Sequence, residues 1–230
     1  MFLSKEDVSK FPNPLFVAFE GAIIVRLLPH ATRAFVYDIT FHLKHPRLLA
    51  LNSKKPPLHF HPYQKEYMQV LEGELFVEVD GVEMALAPEH GEITVRPWQH
   101  HRLYPHPSGG RDTMRFLLSA DDTPESFKID NVFFQNWYAY QDEVVLHKGG
   151  HFDVLQVMNM FDAGGSYLSL PTWMPFRCQI SRAAGILLGR WIGGLAGYQP
   201  FREEWTTEWE LACKKMSETW TLRRFAHGIQ

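Results

Sequence analysis

The stretch PPLHFHPYQKEYMQVLEGE, Pro56 to Glu74, decides how this chain is read. Two histidines, His59 and His61, stand one residue apart, Glu66 follows five residues on, and an apolar run ends at Gly73. In a β-strand, residues two apart project from one face. The two imidazoles therefore point the same way, and Phe60 between them points the other. If the polar bend PYQK returns the chain alongside itself, Glu66 reaches the same space, with Met68 and Val70 continuing inward. Neutral imidazoles and one carboxylate suit a divalent transition metal that keeps coordination positions open to substrate.

A fourth donor is expected from GEITVRPWQHHRLYP, Gly91 to Pro105. His101 shares a strand face with Leu103, which makes it the expected ligand; His100 then points away, behind the ligands or to solvent. Around these motifs the first half reads as β-structure. LFVAFEGAIIVRLL (15–28) and RAFVYDITFHL (33–43) mix β-branched and aromatic residues, and Phe35, Tyr37, Ile39, Phe41 and Leu43 share one face. Asp80-Gly81 between alternating runs suits a two-residue type I′ hairpin. Many short strands with few helix signals point to a sandwich or barrel.

Near Asp121 the pattern changes to helical spacing. Segments 121–150 and 151–165 each end at a glycine pair; a third runs from Pro175 toward Tyr198, and a fourth follows Thr206 or Thr207 as a cap. The expected organisation is a β-domain over 1–120 and a helical extension over 121–230 that packs on it and does not fold independently.

Composition narrows the function. Of 230 residues 45% are hydrophobic and 21% charged, with a net charge of −3, which gives no electrostatic case for nucleic acid or an anionic membrane. Aromatics at 14% suit a thick core or a pocket for an apolar ligand. Two distant cysteines, Cys178 and Cys213, in no metal-binding spacing, fit a reducing compartment. The opening MFLSKEDVSKFPNP lacks the apolar core of a signal peptide, and the apolar stretch 183–198 is short for a bilayer and contains Arg190. The reading is a cytoplasmic protein with no membrane span, its 183–198 segment buried or forming a lid.

The two motifs together resemble the cupin superfamily. Its first motif, G(x)5HxH(x)4E(x)6G, is matched by His59, His61, Glu66 and Gly73, with Ser53 in place of the leading glycine. Its second, G(x)5PxGxxH, is matched by Gly91 and Pro97. Gln99 then replaces the glycine, and strict counting lands on Arg102, so His101 fits only a turn one residue shorter. The resemblance spans roughly residues 15 to 120. It implies a mainly β fold, a single jelly-roll barrel, with one divalent transition metal (Fe, Zn, Mn or Ni) held inside by His59, His61, Glu66 and His101. Cupins of this size often form homodimers through barrel edges, which also covers exposed strands. The glycine-rich C-terminal extension is similar to small fungal cupin-domain proteins of polyketide tailoring, which implies a small apolar, oxygenated aromatic or polyketide-type substrate.

The first functional expectation is Lewis-acid and general-base chemistry of the lyase, isomerase or cyclase type, with Glu66 and His61 as the catalytic pair. The alternatives are a mononuclear iron dioxygenase or oxidoreductase on a similar substrate, and a non-catalytic metal-cupin that binds a small molecule. Tyr63, Tyr67, Gln69 and Trp98 border the motifs and are the candidates for lining a substrate pocket. His42, His106, His147 and His151 are read as ordinary histidines without a chemical role, and FFQNWYAY (133–140) as core.

Overall fold

The computed structural model describes residues 13–50, 55–105, 111–147 and 149–226. Ser53, His106, the side chain of His147 and most of the opening stretch lie outside the described residues. The chain divides into two compact units. One comprises Met1–Leu58 and Gln64–Asp122, the other His59–Tyr63 and Thr123–Gln230.

The first unit is built of antiparallel strands. β1 (Phe16–Ala18), β2 (Ile23–Leu27), β3 (Arg33–His42), β5 (Glu66–Glu72), β8 (Glu92–Val95) and β10 (Thr113–Asp121) form one sheet, ordered β1-β2-β3-β10-β5-β8. β6 (Leu75–Val79), β7 (Val82–Leu86) and β9 (His101–Pro105) lie side by side in the order β9-β6-β7. The expected inner face of β3 is present: Phe35, Tyr37, Ile39 and Phe41 are buried, and Phe41 stacks on Phe116 at 6.0 Å. The opposite face of β3 is also covered. Val36 packs with Leu28, Leu71 and Leu117, and fully buried Asp38 receives a two-pronged bond from Arg115 at 2.6 and 2.9 Å. The hairpin forms where its dipeptide predicts. Val79 pairs with Val82, and Asp80 and Gly81 take φ of 50° and 85°, the left-handed geometry of a type I′ turn.

The second unit carries the short pair β4 (His59–Phe60) and β11 (Tyr167–Leu168), together with the helices. α1 (Asn131–His147) starts at Asp130, whose carboxylate accepts from the Phe133 amide at 3.0 Å. α2 (Val154–Ala163) is capped by Asp153, which accepts from Leu155 and Gln156. α4 (Trp209–Ser217) begins after Glu208, with Thr206 Oγ1 bracing the Glu208 amide, so the threonines lie just ahead of the helix. Phe133, Phe134 and Tyr140 of the aromatic helix are buried, as core residues should be. The mainly β architecture with C-terminal helices matches the expected fold class, and no helix among the described residues is long and apolar enough to cross a membrane.

The glycine-rich segment departs from the sequence reading. α3 (Arg177–Ala184) runs on into a nine-residue π-helix, Gly185–Gly193. Its glycines, not its leucines, face inward: Gly185, Gly189 and Gly193 are buried, while Leu187, Trp191, Ile192 and Leu195 are exposed. The reason is close approach. A Cβ at Gly189 would stand 2.5 Å from the Met158 carbonyl oxygen, and Asn159 of α2 donates to the Gly189 carbonyl at 2.8 Å. Backbone that close to backbone leaves no room for side chains on that face.

Two consequences are measurable by thermal or denaturant unfolding. Gly189→Ala forces the π-helix off α2 and should destabilise the protein by about 1–3 kcal/mol, whereas Leu187→Ala should be nearly neutral. Lys215 and Asp130, both buried, form an ion pair at 2.8 Å; burial pulls the lysine below its usual range, and the Asp130 carboxylate opposes that. Lys215→Met should cost about 3–5 kcal/mol by stranding the carboxylate, and adding Asp130→Asn should recover most of it.

Candidate metal centre

Glu66 opens β5 at a well-anchored point. Gln64 Nε2 donates to the Asp121 carbonyl at 2.9 Å, and the Asp121 amide to the Lys65 carbonyl at 3.1 Å, so the register Glu66 opposite Ala120 and Val95 is fixed. Alternation then buries Glu66, Met68 and Val70 on one face and leaves Tyr67 and Gln69 half-buried on the other. There the Tyr67 hydroxyl donates to Asp121 at 2.9 Å beneath the Arg33 guanidinium, which also bridges to Glu92. Burial, with Asp121 adding to it, holds that phenol above its ordinary range.

The turn before β9 explains why the second motif miscounts. Pro97 is followed by Trp98 at φ 70°, and the Gln99 amide closes on the Arg96 carbonyl at 3.2 Å, the pattern of a tight turn with proline second and a left-handed residue third. Gln99 supplies what a glycine would not. Its side chain accepts from the Arg96 amide and donates to Asp80, while Asp80 also accepts from the His100 amide at 3.0 Å. The turn is thereby short by one residue, and β9 begins with His101 opposite Val79. Arg102 faces the other way and pairs with Glu78. His100 is buried, and Trp98 is 42% exposed.

His101 and Glu66 meet. Nε2 lies 2.9 Å from Oε2, and both side chains are almost fully buried. His101 Nδ1 faces the Gln99 carbonyl at 2.9 Å, which assigns the hydrogen to Nδ1 and the lone pair to Nε2. A lone pair held against a carboxylate is repulsive unless a positive charge lies between them. In the metal-free protein a proton can supply that charge: burial alone would lower the His101 pKa, but Glu66, the Gln99 carbonyl and Asp80 outweigh it and raise it. A metal cation satisfies the same arrangement, so these donors fit one.

In the second unit, His59 of β4 and His61 just past its end have ring centroids 5.0 Å apart, and Phe60 pairs with Tyr167 across β11. His59 sets its ring edge to face with Phe161 at 5.9 Å. His61 is buried, and its Nδ1 lies 2.9 Å from Ser166 Oγ, a partner that the sequence alone does not reveal. A hydrogen donated from Nδ1 to Ser166 puts the His61 lone pair on Nε2, the tautomer a metal ligand requires. Tyr63, two residues on, accepts a bond from Arg182. The second unit thus offers two imidazole donors, His59 and His61, and the first an imidazole and a carboxylate, His101 and Glu66.

Comparison with known proteins places the chain. No protein-family model matches it. A solved RmlC-like cupin from Shewanella frigidimarina aligns with a TM-score of 0.31 and 22% identity, over 46% of this chain and 82% of that one. The protein named epoxidase atD of Aspergillus terreus is 43% identical over 73% of this chain and 52% of its own length. An oxidoreductase of Arthrobotrys oligospora is 44% identical over 217 residues, covering 93% of this chain and 85% of the relative. With that identity over nearly the whole of both chains, this protein belongs to the family of the Arthrobotrys oligospora oxidoreductase.

Proposed function

We propose that this protein is a metal-dependent oxidoreductase that oxidises a small, apolar, oxygenated aromatic or polyketide-type molecule, holding one divalent transition metal with His59, His61, Glu66 and His101. The observation that carries the reading is the buried donor set: imidazoles whose hydrogen-bond partners, Ser166 and the Gln99 carbonyl, turn Nε2 of His61 and His101 into the donor, and a carboxylate 2.9 Å from one of them. The names of its relatives, an oxidoreductase and an epoxidase, favour oxidation over the redox-neutral lyase or isomerase chemistry that the ligand set alone also allows. Bound there, a redox-active metal such as iron supplies open positions at which dioxygen, the oxidant, and an oxygenated substrate are brought together.

The chain's own groups do the rest. Ser166 fixes the ring of His61, and the short turn held by Asp80 and Gln99 fixes that of His101. Glu66 is the group able to accept or return a proton at Oε2, next to His101. Met68 and Val70, buried on the face of β5 that carries Glu66, keep water from that carboxylate.

Elemental analysis and oxygen-electrode measurements test this together. The purified protein should carry close to one metal per chain and consume dioxygen with its substrate. His59→Ala and Glu66→Ala should each abolish metal retention and lower turnover by at least about a hundredfold. A protein that retains full turnover after its metal is stripped ends the reading. Ser166→Ala leaves the donors in place but frees the ring of His61, and should weaken metal affinity by about 10–100-fold.

The pH dependence has a definite sign. Protons compete for His101, whose pKa is raised above 6.5, so metal release on acidification should begin above the pH expected of an ordinary histidine. In the metal-free protein the same pair stabilises the fold fully below the unfolded value of 6.5, and that contribution is lost as pH rises through the higher folded value. Melting temperatures with and without metal, measured from pH 5 to 9, should diverge most at the alkaline end.

A further inference from the structure

The second unit contains a polar cavity of about 370 Å³, whose walls include Tyr63, Tyr167, Arg182 and Arg190. Its two arginines are in different states. Arg190 is already neutralised: Nε and Nη2 bond both oxygens of buried Asp162 at 2.6 and 3.0 Å, and the guanidinium lies over Phe127. Arg182 is not. Its Nη2 donates to the Tyr63 hydroxyl, and its guanidinium stands 5.6 Å from the Tyr63 ring centre. Its Nε is buried without a hydrogen-bond partner, and among the described residues no carboxylate lies within ion-pair distance of it. Asp162 is near enough to feel the charge of Arg182 but is bonded to Arg190, so the buried N–H of Arg182 lacks an acceptor, and the ligand that matches its fork is a planar carboxylate.

We propose that this cavity is a carboxylate-binding subsite in which Arg182 is the ionic anchor and the Tyr63 hydroxyl a second donor. The Tyr63 oxygen accepts from Arg182, so its own hydrogen is directed elsewhere, and a carboxylate on Arg182 is its natural acceptor. Two exposed acids that also line the cavity, Glu125 and Glu218, set the selectivity. They tolerate a single negative charge against Arg182 and disfavour a dianion such as phosphate. The volume takes a ring bearing one carboxylate. The position also suits the chemistry. Tyr63 follows His61 by two residues, and Tyr167 follows Ser166, the partner of His61, so an acid held here lies beside the strand that presents His61. The inference deepens the function proposed above by making its substrate an organic acid, and it rests on that reading only for the reaction.

Calorimetric titration of the full-length, metal-loaded protein with benzoate, benzyl alcohol and inorganic phosphate tests it. Benzoate should bind saturably and displace neither metal nor fold, and benzyl alcohol should bind at least about tenfold more weakly. Arg182→Gln should weaken benzoate about tenfold or more, Arg182→Lys less, and Tyr63→Phe severalfold, each with an unchanged far-ultraviolet circular dichroism spectrum. If Arg182→Gln does not fold, the graded pair Arg182→Lys and Tyr63→Phe decides the matter. Absence of saturable benzoate binding, equal affinity in the Arg182 variants, or tighter binding of phosphate than benzoate overturns the proposal. The titration reads binding and not turnover. Failure of the metal reading would therefore leave its outcome intact, and its own failure would leave the metal reading standing.

Discussion

A buried carboxylate oxygen and a buried imidazole nitrogen 2.9 Å apart, both presenting lone pairs, cannot rest against each other without a cation. That requirement organises the first unit. Glu66 must open β5 in a register fixed by the Gln64 and Lys65 contacts with Asp121, and His101 must open β9 after a turn short enough to aim it inward. The cost of burying the Glu66 carboxylate is offset by the positive charge that a protonated His101 or a bound cation would place beside it. The same constraint explains why residues with no chemistry of their own, Asp80 and Gln99, are tied so tightly. A turn one residue longer would bring Arg102 to the inner face and leave the carboxylate facing the wrong group.

Much of this was legible in the sequence because strand alternation has a strict period of two. His59 and His61 flanking Phe60, and Glu66 in step with Met68 and Val70, needed nothing beyond that period, and Asp80-Gly81 declared its hairpin by composition. His101 was the expected ligand from its strand face with Leu103, but why the motif count overshoots to Arg102 was not legible. It depends on a left-handed Trp98 and a side chain, Gln99, replacing a glycine's function by bonding across the turn, which no spacing rule encodes. The same alternation separates Tyr67 and Gln69 from Glu66, because odd and even positions of β5 face opposite ways.

What the sequence could not disclose are partners distant along the chain. Ser166 is 105 residues from His61, and Arg182 is 119 from Tyr63. Neither lies in a motif, and nothing local marks a serine after a glycine pair as the group that sets a histidine tautomer. The one available signal was weak: Gly164-Gly165 ends α2 abruptly and returns the chain into β11 beside β4, which sets a polar residue there next to the segment that carries His61.

The glycine-rich helix shows why composition misleads about direction. GILLGRWIGGLAG looks buried because it is apolar, yet its glycines recur at positions 185, 189, 193 and 197, and the first three occupy the inward face. Small residues bring the π-helix backbone to within van der Waals distance of α2, and the bulky residues then have nowhere to go but outward. The same close approach seats Arg190 against buried Asp162, whose carboxylate accepts two bonds from Arg190 and one from the Tyr167 hydroxyl. With Asp162 spent on Arg190, Arg182, two helical turns earlier, is left without an acid of its own. The choice of glycine where the helix meets α2 thus turns its apolar face to solvent and brings Arg190 to Asp162, which leaves Arg182 bonded to Tyr63 but without an ion pair.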